Sequence, residues 1–137
     1  MILKKLPHPL RVINFITCRP TPLLSIGLFA TNRCNSKCKI CGIWRSEPKV
    51  DLEPEIVENL FKSKLLKPGY TTIALTGGEF ILHPKCCEII SMCKEYGFNF
   101  HLLSNGLASD KLIKIVRLFK VKKLFLSLDG GPKPIRW

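Results

Sequence analysis

The length, composition and charge of this sequence exclude several classes of protein. Its 137 residues, 46% of them hydrophobic, suffice for one domain with a buried core. The sequence has no run of about 18 consecutive apolar residues, so no membrane-spanning helix is predicted. The formal net charge of +12 is large for this length.

The first 22 residues form a mildly apolar stretch that Pro7, Pro9, Asn14 and Arg19 interrupt. The stretch lacks a continuous apolar centre followed by a small-residue cleavage site, which a secretory signal would have. We therefore interpret residues 1–22 as a lead-in segment, and we expect the protein to be cytoplasmic.

The number and spacing of the cysteines are typical of a protein in a reducing compartment. They are Cys18, Cys34, Cys38, Cys41, Cys86, Cys87 and Cys93. Their number is odd and three crowd into eight residues, whereas a secreted disulfide framework usually has an even number spread through a small fold. Clustered thiols in a reducing compartment more often bind metal, so the triplet is a candidate metal site.

Short apolar segments alternate with helical patterns along the chain. Strands are predicted at residues 23–30, 72–76, 98–103 and 124–128, the first buried and the last, apolar throughout, interior. Helices are predicted at residues 56–66, 85–96 and 110–120, from apolar residues spaced three and four apart. The apolar faces consist of Ile56, Val57, Leu60 and Phe61, of Cys86, Ile89, Ile90 and Cys93, and of Leu112, Ile115, Val116 and Phe119.

Local signals mark the helix ends, and the order of elements indicates the fold class. Asp51 and Ser109 are the predicted N-caps, and Gly97 is the predicted stop of the second helix. The alternation of strands and helices predicts an α/β fold with parallel strands and right-handed crossovers. An open doubly wound sheet and part of a barrel both fit this pattern.

Polar clusters follow all four predicted strands, at residues 31–41, 77–79, 104–106 and 127–130. In parallel α/β folds the functional groups collect beyond the carboxyl ends of the strands, so these clusters are expected on one rim. The convergence of the four clusters is a stronger indication of a site than any one of them.

The cysteine triplet has the spacing CxxxCxxC. Three thiolates on such a loop can hold three irons of an iron–sulfur cube, which leaves the fourth iron open to a substrate. The alternatives are a zinc site completed by a distant ligand, for which His83 and His101 are the candidates, or free buried cysteines. The remaining four cysteines are expected to be core residues.

The sequence from about residue 23 to residue 130 resembles the radical S-adenosylmethionine (radical SAM) superfamily. The resemblance rests on the CxxxCxxC triplet after a strand, with apolar Ile40 before the last cysteine. It rests also on Gly77-Gly78-Glu79 after the second strand, Ser104-Asn105-Gly106 after the third and the 127–130 segment after the fourth. Phe80 departs from the proline often found after the glutamate.

This resemblance implies specific roles for the strand-end residues. Cys34, Cys38 and Cys41 would hold a [4Fe–4S] cluster, and Gly77, Gly78 and Glu79 would face the amino group of S-adenosylmethionine. Ser104, Asn105, Ser127 and Asp129 would hydrogen-bond the rest of that cofactor. The pairs Gly77-Gly78, Asn105-Gly106 and Asp129-Gly130 are also typical of ordinary turns.

The resemblance further implies a reaction and a partner. A reduced cluster would cleave S-adenosylmethionine to a 5′-deoxyadenosyl radical, which abstracts hydrogen from an unknown substrate. An electron donor such as flavodoxin or ferredoxin would supply the electron. The alternative is a truncated, non-catalytic metal-binding or electron-transfer module.

The domain organisation implied is a lead-in at 1–22, the N-terminal portion of a radical SAM core at 23–130 and a short tail at 131–137. The family usually builds a partial barrel of six strands. A partial (β/α) barrel of about four β-α units is therefore predicted here, and the chain is expected to be truncated.

A basic segment accompanies the third predicted helix. Its cationic residues are Lys111, Lys114, Arg117, Lys120, Lys122 and Lys123, with Asp110 nearby. We interpret the segment as the solvated side of a helix, with nucleic-acid binding as the less favoured alternative, because no aromatic residues interleave with the charges.

Overall fold

A computed structural model describes residues 23–128 of the chain. The predicted lead-in with Cys18, the predicted tail and the site residue Asp129 lie outside these described residues. Within residues 23–128, no helix is long and apolar enough to cross a membrane.

The described residues fold as an α/β unit in which strands and helices alternate as predicted. The strands are β1 (Ser25–Phe29), β2 (Thr72–Thr76), β3 (Asn99–Ser104) and β4 (Leu124–Leu126). The helices are α1 (Pro54–Lys62), α2 (Cys86–Glu95) and α3 (Ser109–Leu118). Short 3-10 turns occur at Ile43–Arg45 and Phe80–Leu82.

The four strands form one parallel sheet in the order β1-β2-β3-β4. A doubly wound sheet reverses its strand order at a switch point, and this sheet does not. Because right-handed crossovers between sequential neighbours all lie on one side, the helices cover one face of the sheet. The arrangement is compatible with a partial β/α barrel, the second of the two predicted architectures.

The core lies between the sheet and the three helices. Ile73, Leu75 and Leu102 point from the strands into it and are fully buried. The predicted stripe of α2 is confirmed, because its four members Cys86, Ile89, Ile90 and Cys93 are all buried. Gly97 follows α2 with a positive φ of 71°, as predicted for a residue that stops a helix.

Three predicted helix features are wrong in detail. Ile56 was expected on the buried face of α1, yet its side chain is 56% exposed and Pro54 is buried in the same helix. Asp51 does not cap α1, because Glu53 occupies the N-cap position. Ser109 is the first residue of α3 rather than its N-cap, a position that Ala108 takes.

The outer strands are more exposed than predicted. β1 and β4 each pair with one strand among the described residues, so one edge of each strand stays open. Phe125 and Leu126 are 55% and 49% exposed, whereas an interior position was predicted for β4. In α2, Cys87 is exposed and is not a core residue.

Candidate iron–sulfur and cofactor site

The carboxyl ends of the strands form one pocket, as the convergence of polar clusters predicted. Its volume is about 210 Å³, below the roughly 300–1,000 Å³ of complete small-molecule sites, so it would hold part of a large ligand. The predicted site residues in its lining are Cys34, Cys38, Cys41, Gly77, Gly78, Ser104, Asn105 and Ser127. Glu79 lies behind this lining.

The three cysteines lie on an excursion between β1 and α1, which we call the cysteine loop (residues 33–50). Its base is closed by backbone pairing: the Asn32 N–H donates to Val50 O at 3.1 Å, and the Leu52 N–H donates to Ala30 O at 2.7 Å. The Asn32 side chain adds two bonds, accepting from the Val50 N–H at 2.8 Å and donating to Pro48 O at 3.0 Å. The loop therefore leaves and re-enters the sheet edge at one fixed point.

A carboxylate strengthens this base. Asp51 accepts from the Thr31 hydroxyl at 2.6 Å, and from Arg33 Nε at 3.0 Å to one oxygen and 2.9 Å to the other. Burial disfavours ionisation of Asp51, but the hydrogen bonds from Thr31 and Arg33 outweigh it and lower the pKa of the carboxyl group. Asp51 therefore remains charged and paired at neutral pH.

Inside the cysteine loop, short contacts arrange the thiols. The Ser36 N–H donates to Cys34 Sγ at 3.4 Å, and the Ser36 hydroxyl lies 3.0 Å from Cys38 Sγ. Trp44 Nε1 donates to Cys38 O at 3.2 Å. Cys34 and Cys38 are half-buried and Cys41 is exposed, so all three thiols are accessible to a metal.

Gly77 and Gly78 lie directly beneath the start of the cysteine loop. A Cβ on Gly77 would lie 2.4 Å from Thr31 O, and one on Gly78 would lie 2.4 Å from Arg33 O. The same carbonyls accept hydrogen bonds, from the Gly78 N–H to Thr31 O at 2.8 Å and from the Glu79 N–H to Arg33 O at 2.7 Å. The absence of side chains here lets two loops share hydrogen bonds.

Glu79 connects this segment to the end of β3. The residue is 1% exposed, and its Oε2 accepts from the Asn105 N–H at 2.7 Å. Its Oε1 is buried and has no hydrogen-bond partner among the described residues. An unpaired buried carboxylate oxygen is costly, so this atom would gain from a donor supplied by a ligand.

Asn105 links the end of β3 to the cysteine loop. Its side-chain Nδ2 donates to Asn35 Oδ1 at 2.9 Å and lies 3.8 Å from Cys34 Sγ. Ser104 is buried, and its hydroxyl accepts from the Gly106 N–H at 3.1 Å. The Ser127 N–H donates to Ser104 O at 2.9 Å, which brings the fourth strand end into the site.

The two histidines considered as zinc ligands are elsewhere. His83 is buried, its Nδ1 accepts from the Lys85 N–H at 3.0 Å, and its Nε2 therefore donates to Leu52 O at 3.0 Å. His101 packs edge-on against Phe125, and burial, followed by the charge of Lys123, lowers the pKa of its ring. Neither histidine is among the residues that line the pocket.

Cysteine thiolates are the usual protein ligands of iron–sulfur clusters, and the three thiols of the cysteine loop provide them. Within residues 23–128, no three His, Cys, Asp or Glu side chains converge as ligands of one metal ion. The accessible thiols, the unpaired Glu79 Oε1 and the adjoining pocket are thus compatible with a cluster and a cofactor beside it.

The cysteine loop also carries an excess of positive charge. Its cationic residues are Arg33, Lys37, Lys39, Arg45 and Lys49, and its acidic residue is Glu47. Glu47 pairs with Lys49 at 3.2 Å, and Arg45 lies over the ring of Trp44. These cations would offset the negative charge that three thiolates bring to the site.

Sequence reasoning assigned no individual site role to several residues that contribute to the site. Thr31, Arg33 and Asp51 form the base of the loop, and Ser36 and Trp44 line the pocket. Ser36 had a visible signal, because it lies between two of the cysteines. Asp51 had none, because its partners are 20 and 18 residues away in the sequence.

Comparison with known proteins identifies the family. The sequence profile of the Radical SAM superfamily matches residues 28–137. No solved structure matches the chain at a significant level.

Curated relatives of known name give the same result. A probable GTP 3′,8-cyclase of Methanothermobacter marburgensis is 31% identical over 114 residues, which cover 79% of this chain and 36% of the relative. GTP 3′,8-cyclase of Microcystis aeruginosa is 29% identical over 106 residues, which cover 72% of this chain and 32% of the relative. The antilisterial bacteriocin subtilosin biosynthesis protein AlbA of Bacillus subtilis is 33% identical over 105 residues, which cover 73% of this chain and 23% of the relative.

The chain spans about a third or less of the length of these relatives. Two of them are named GTP 3′,8-cyclase and the third is AlbA, so what all three share with this chain is the family. Because the profile covers most of the sequence, the protein belongs to the radical SAM superfamily, whose members use a [4Fe–4S] cluster and S-adenosylmethionine.

Proposed function

We propose that Cys34, Cys38 and Cys41 hold a [4Fe–4S] cluster whose open iron binds S-adenosylmethionine, as part of an enzyme that cleaves this cofactor reductively. The observation that carries the proposal is the convergence of the cysteine loop with the ends of β2, β3 and β4 on one pocket. When bound and reduced by an external one-electron donor, the cluster would supply the electron that breaks a carbon–sulfur bond of the cofactor, giving methionine and a 5′-deoxyadenosyl radical for hydrogen abstraction from a substrate.

The protein residues would bind and orient the cofactor. Gly77 and Gly78 bring backbone to the pocket wall, at positions where a Cβ would clash with the carbonyls of Thr31 and Arg33. Glu79 Oε1 would accept from the amino group of the cofactor, which satisfies its unpaired oxygen. Ser104, Asn105 and Ser127 would hydrogen-bond the remainder, and Asp129 follows Ser127 by two residues in the sequence.

The cluster is tested by reconstitution without oxygen. We expect about four irons and four sulfides per chain, as a cubane cluster requires. Ala in place of Cys34, Cys38 or Cys41 should abolish this uptake. The matched control is Cys87→Ala, because Cys87 is an exposed cysteine outside the loop. Stoichiometric zinc in place of iron would overturn the assignment.

The cofactor is tested by electron paramagnetic resonance of the reduced protein. Addition of S-adenosylmethionine should change the spectrum of the cluster, because the cofactor binds the open iron. Glu79→Gln should weaken that change without loss of iron, since the amide has one good acceptor and Asn105 already uses an oxygen of Glu79. An unchanged spectrum at saturating cofactor would favour the electron-transfer alternative.

A further inference from the structure

Asp51 lies outside the pocket, and its carboxylate binds residues at the start of the cysteine loop. Its carboxylate binds the Thr31 hydroxyl and the Arg33 guanidinium on either side of Asn32. The Thr31 hydroxyl also accepts from the Arg33 N–H at 3.0 Å, so the three residues form a compact unit. We call Thr31, Arg33 and Asp51 the loop clamp.

The loop clamp fixes the backbone on which the next loop docks. The carbonyls of Thr31 and Arg33 accept from the N–H groups of Gly78 and Glu79. Glu79 in turn accepts from the Asn105 N–H, and the Asn105 side chain donates to Asn35 within the cysteine loop. These hydrogen bonds form a closed ring through three strand ends, and Asp51 is its charged anchor.

We propose that Asp51 is a positioning residue for the iron–sulfur site. Through its hydrogen bonds with Thr31 and Arg33, Asp51 holds Cys34 in place. The role at an iron–sulfur site depends on the function proposed above. The positioning effect itself depends only on the observed hydrogen bonds of Asp51. An isosteric amide would hold this site less well than the carboxylate, because it removes the charge and places an NH2 donor against Arg33 Nε in place of one oxygen, while its own oxygen still accepts from Thr31.

The position of Asp51 separates this role from ordinary surface pairing. Asp51 also pairs through its backbone with Thr31 in an isolated antiparallel bridge, which places the carboxylate beside Arg33. Glu53, two residues later, pairs with Lys85 at 2.8 Å on an exposed surface, where an ion pair contributes little to stability. Glu53→Gln therefore provides a matched control that removes an equal charge nearby.

The test compares Asp51→Asn, Asp51→Glu, Arg33→Gln and the double variant Asp51→Asn with Arg33→Gln. Amide hydrogen exchange is measured in the metal-free protein at Gly78 and Glu79, with Ile73 and Leu75 in the centre of β2 as internal references. The rate of iron release to a ferrous chelator is measured in the reconstituted protein.

Asp51→Asn should raise exchange at Gly78 and Glu79 about three- to tenfold and leave the β2 references unchanged, because a charged hydrogen-bond acceptor is lost locally. Iron release should accelerate by a similar factor. Asp51→Glu, which keeps the charge, should recover part of the protection, and Glu53→Gln should match the unchanged protein. In the double variant the two losses should be less than additive, because both remove one contact.

Two results would overturn the proposal. One is exchange at Gly78 and Glu79 in Asp51→Asn at the rate of the unchanged protein. The other is an equal rise at the β2 references, which would assign Asp51 to general stability. If Asp51→Asn does not fold, Asp51→Glu and Arg33→Gln carry the same comparison. If the unchanged protein takes up no iron, the proposed function fails, while the exchange measurements still decide the loop clamp.

Discussion

The residues of this site contact and hydrogen-bond one another. Gly77 and Gly78 were expected to admit the cofactor, and they also admit the carbonyls of Thr31 and Arg33 at a distance that a Cβ would forbid. Glu79 was expected to face the cofactor, and one of its oxygens binds the Asn105 N–H. The glycine–glycine–glutamate segment thus connects strand ends, in addition to the binding role proposed for it.

A substitution at Gly78 tests this tight approach. Gly78→Ala places a Cβ 2.4 Å from Arg33 O and 3.0 Å from Cys34 Cβ, so the cysteine loop must shift. We expect a loss of about 1–3 kcal/mol in the free energy of unfolding, as for other overpacked sites, together with lower iron content. Urea unfolding of the metal-free protein and iron analysis after reconstitution measure the two effects.

Gly27→Ala is the control for this substitution, because no atom lies within 4 Å of its Cβ position. It should change the free energy of unfolding by no more than about 0.5 kcal/mol and leave iron content unchanged. Equal behaviour of the two variants would show that the loops do not need a bare backbone at Gly78.

At the scale of elements, α2 shows how a regular apolar stripe builds the core. Its periodicity placed Cys86, Ile89, Ile90 and Cys93 on one face, and all four are buried. Cys87, one residue along, is turned about 100° around the helix axis and is exposed. Burial raises the pKa of the Cys93 thiol to about 12 from an ordinary value of 9.0.

This raised pKa predicts a pH dependence of stability. The folded protein keeps the Cys93 thiol neutral, whereas the unfolded chain loses that proton near pH 9, so the stabilisation is complete below pH 9 and is lost as pH rises towards 12. Between about pH 9 and about pH 10.5 the contribution should fall by on the order of 2 kcal/mol.

Urea unfolding at these pH values measures the effect against matched variants. Cys93→Ala should show a smaller loss with rising pH than the unchanged protein, although it is less stable at neutral pH because a buried side chain is shortened. Cys87→Ala should keep the slope of the unchanged protein, since that thiol is exposed. Identical slopes for all three proteins would show that Cys93 ionises freely in the fold.

At the scale of the whole molecule, the sheet has helices on one face and an open edge at β4. Phe125, Leu126 and Leu128 are exposed, and no strand among residues 23–128 pairs with the far edge of β4. An exposed apolar strand edge promotes pairing with another chain. We therefore expect the 137-residue chain to self-associate.

A charge on the open strand tests this expectation. Leu126→Lys should shift the chain towards the monomer in sedimentation velocity, because a lysine on an edge strand disfavours further pairing. Leu118→Lys is the control, since Leu118 is exposed on α3 and lies outside β4. A monomeric unchanged chain, or an equal response to both substitutions, would show that the β4 edge does not drive association.

The sequence by itself determined the elements and the identity of the metal-site candidates. Helices and strands follow from apolar spacing within about a dozen residues, and the CxxxCxxC triplet is contiguous, so both are local properties. Sequence order after each strand also placed the glycine, serine and asparagine residues on the correct rim, because parallel strands all end on the same side.

Only the tertiary structure decided the remaining features. The sequential strand order, and with it the choice of barrel over doubly wound sheet, depends on long-range pairing that local patterns do not encode. Asp51 looked like a helix cap because its nearest neighbours begin α1, and it became the anchor of the loop clamp because folding brings Thr31 and Arg33 beside it. The exposure of β4 likewise depends on which strand lies beside it, since apolar composition favours burial but does not supply the neighbour.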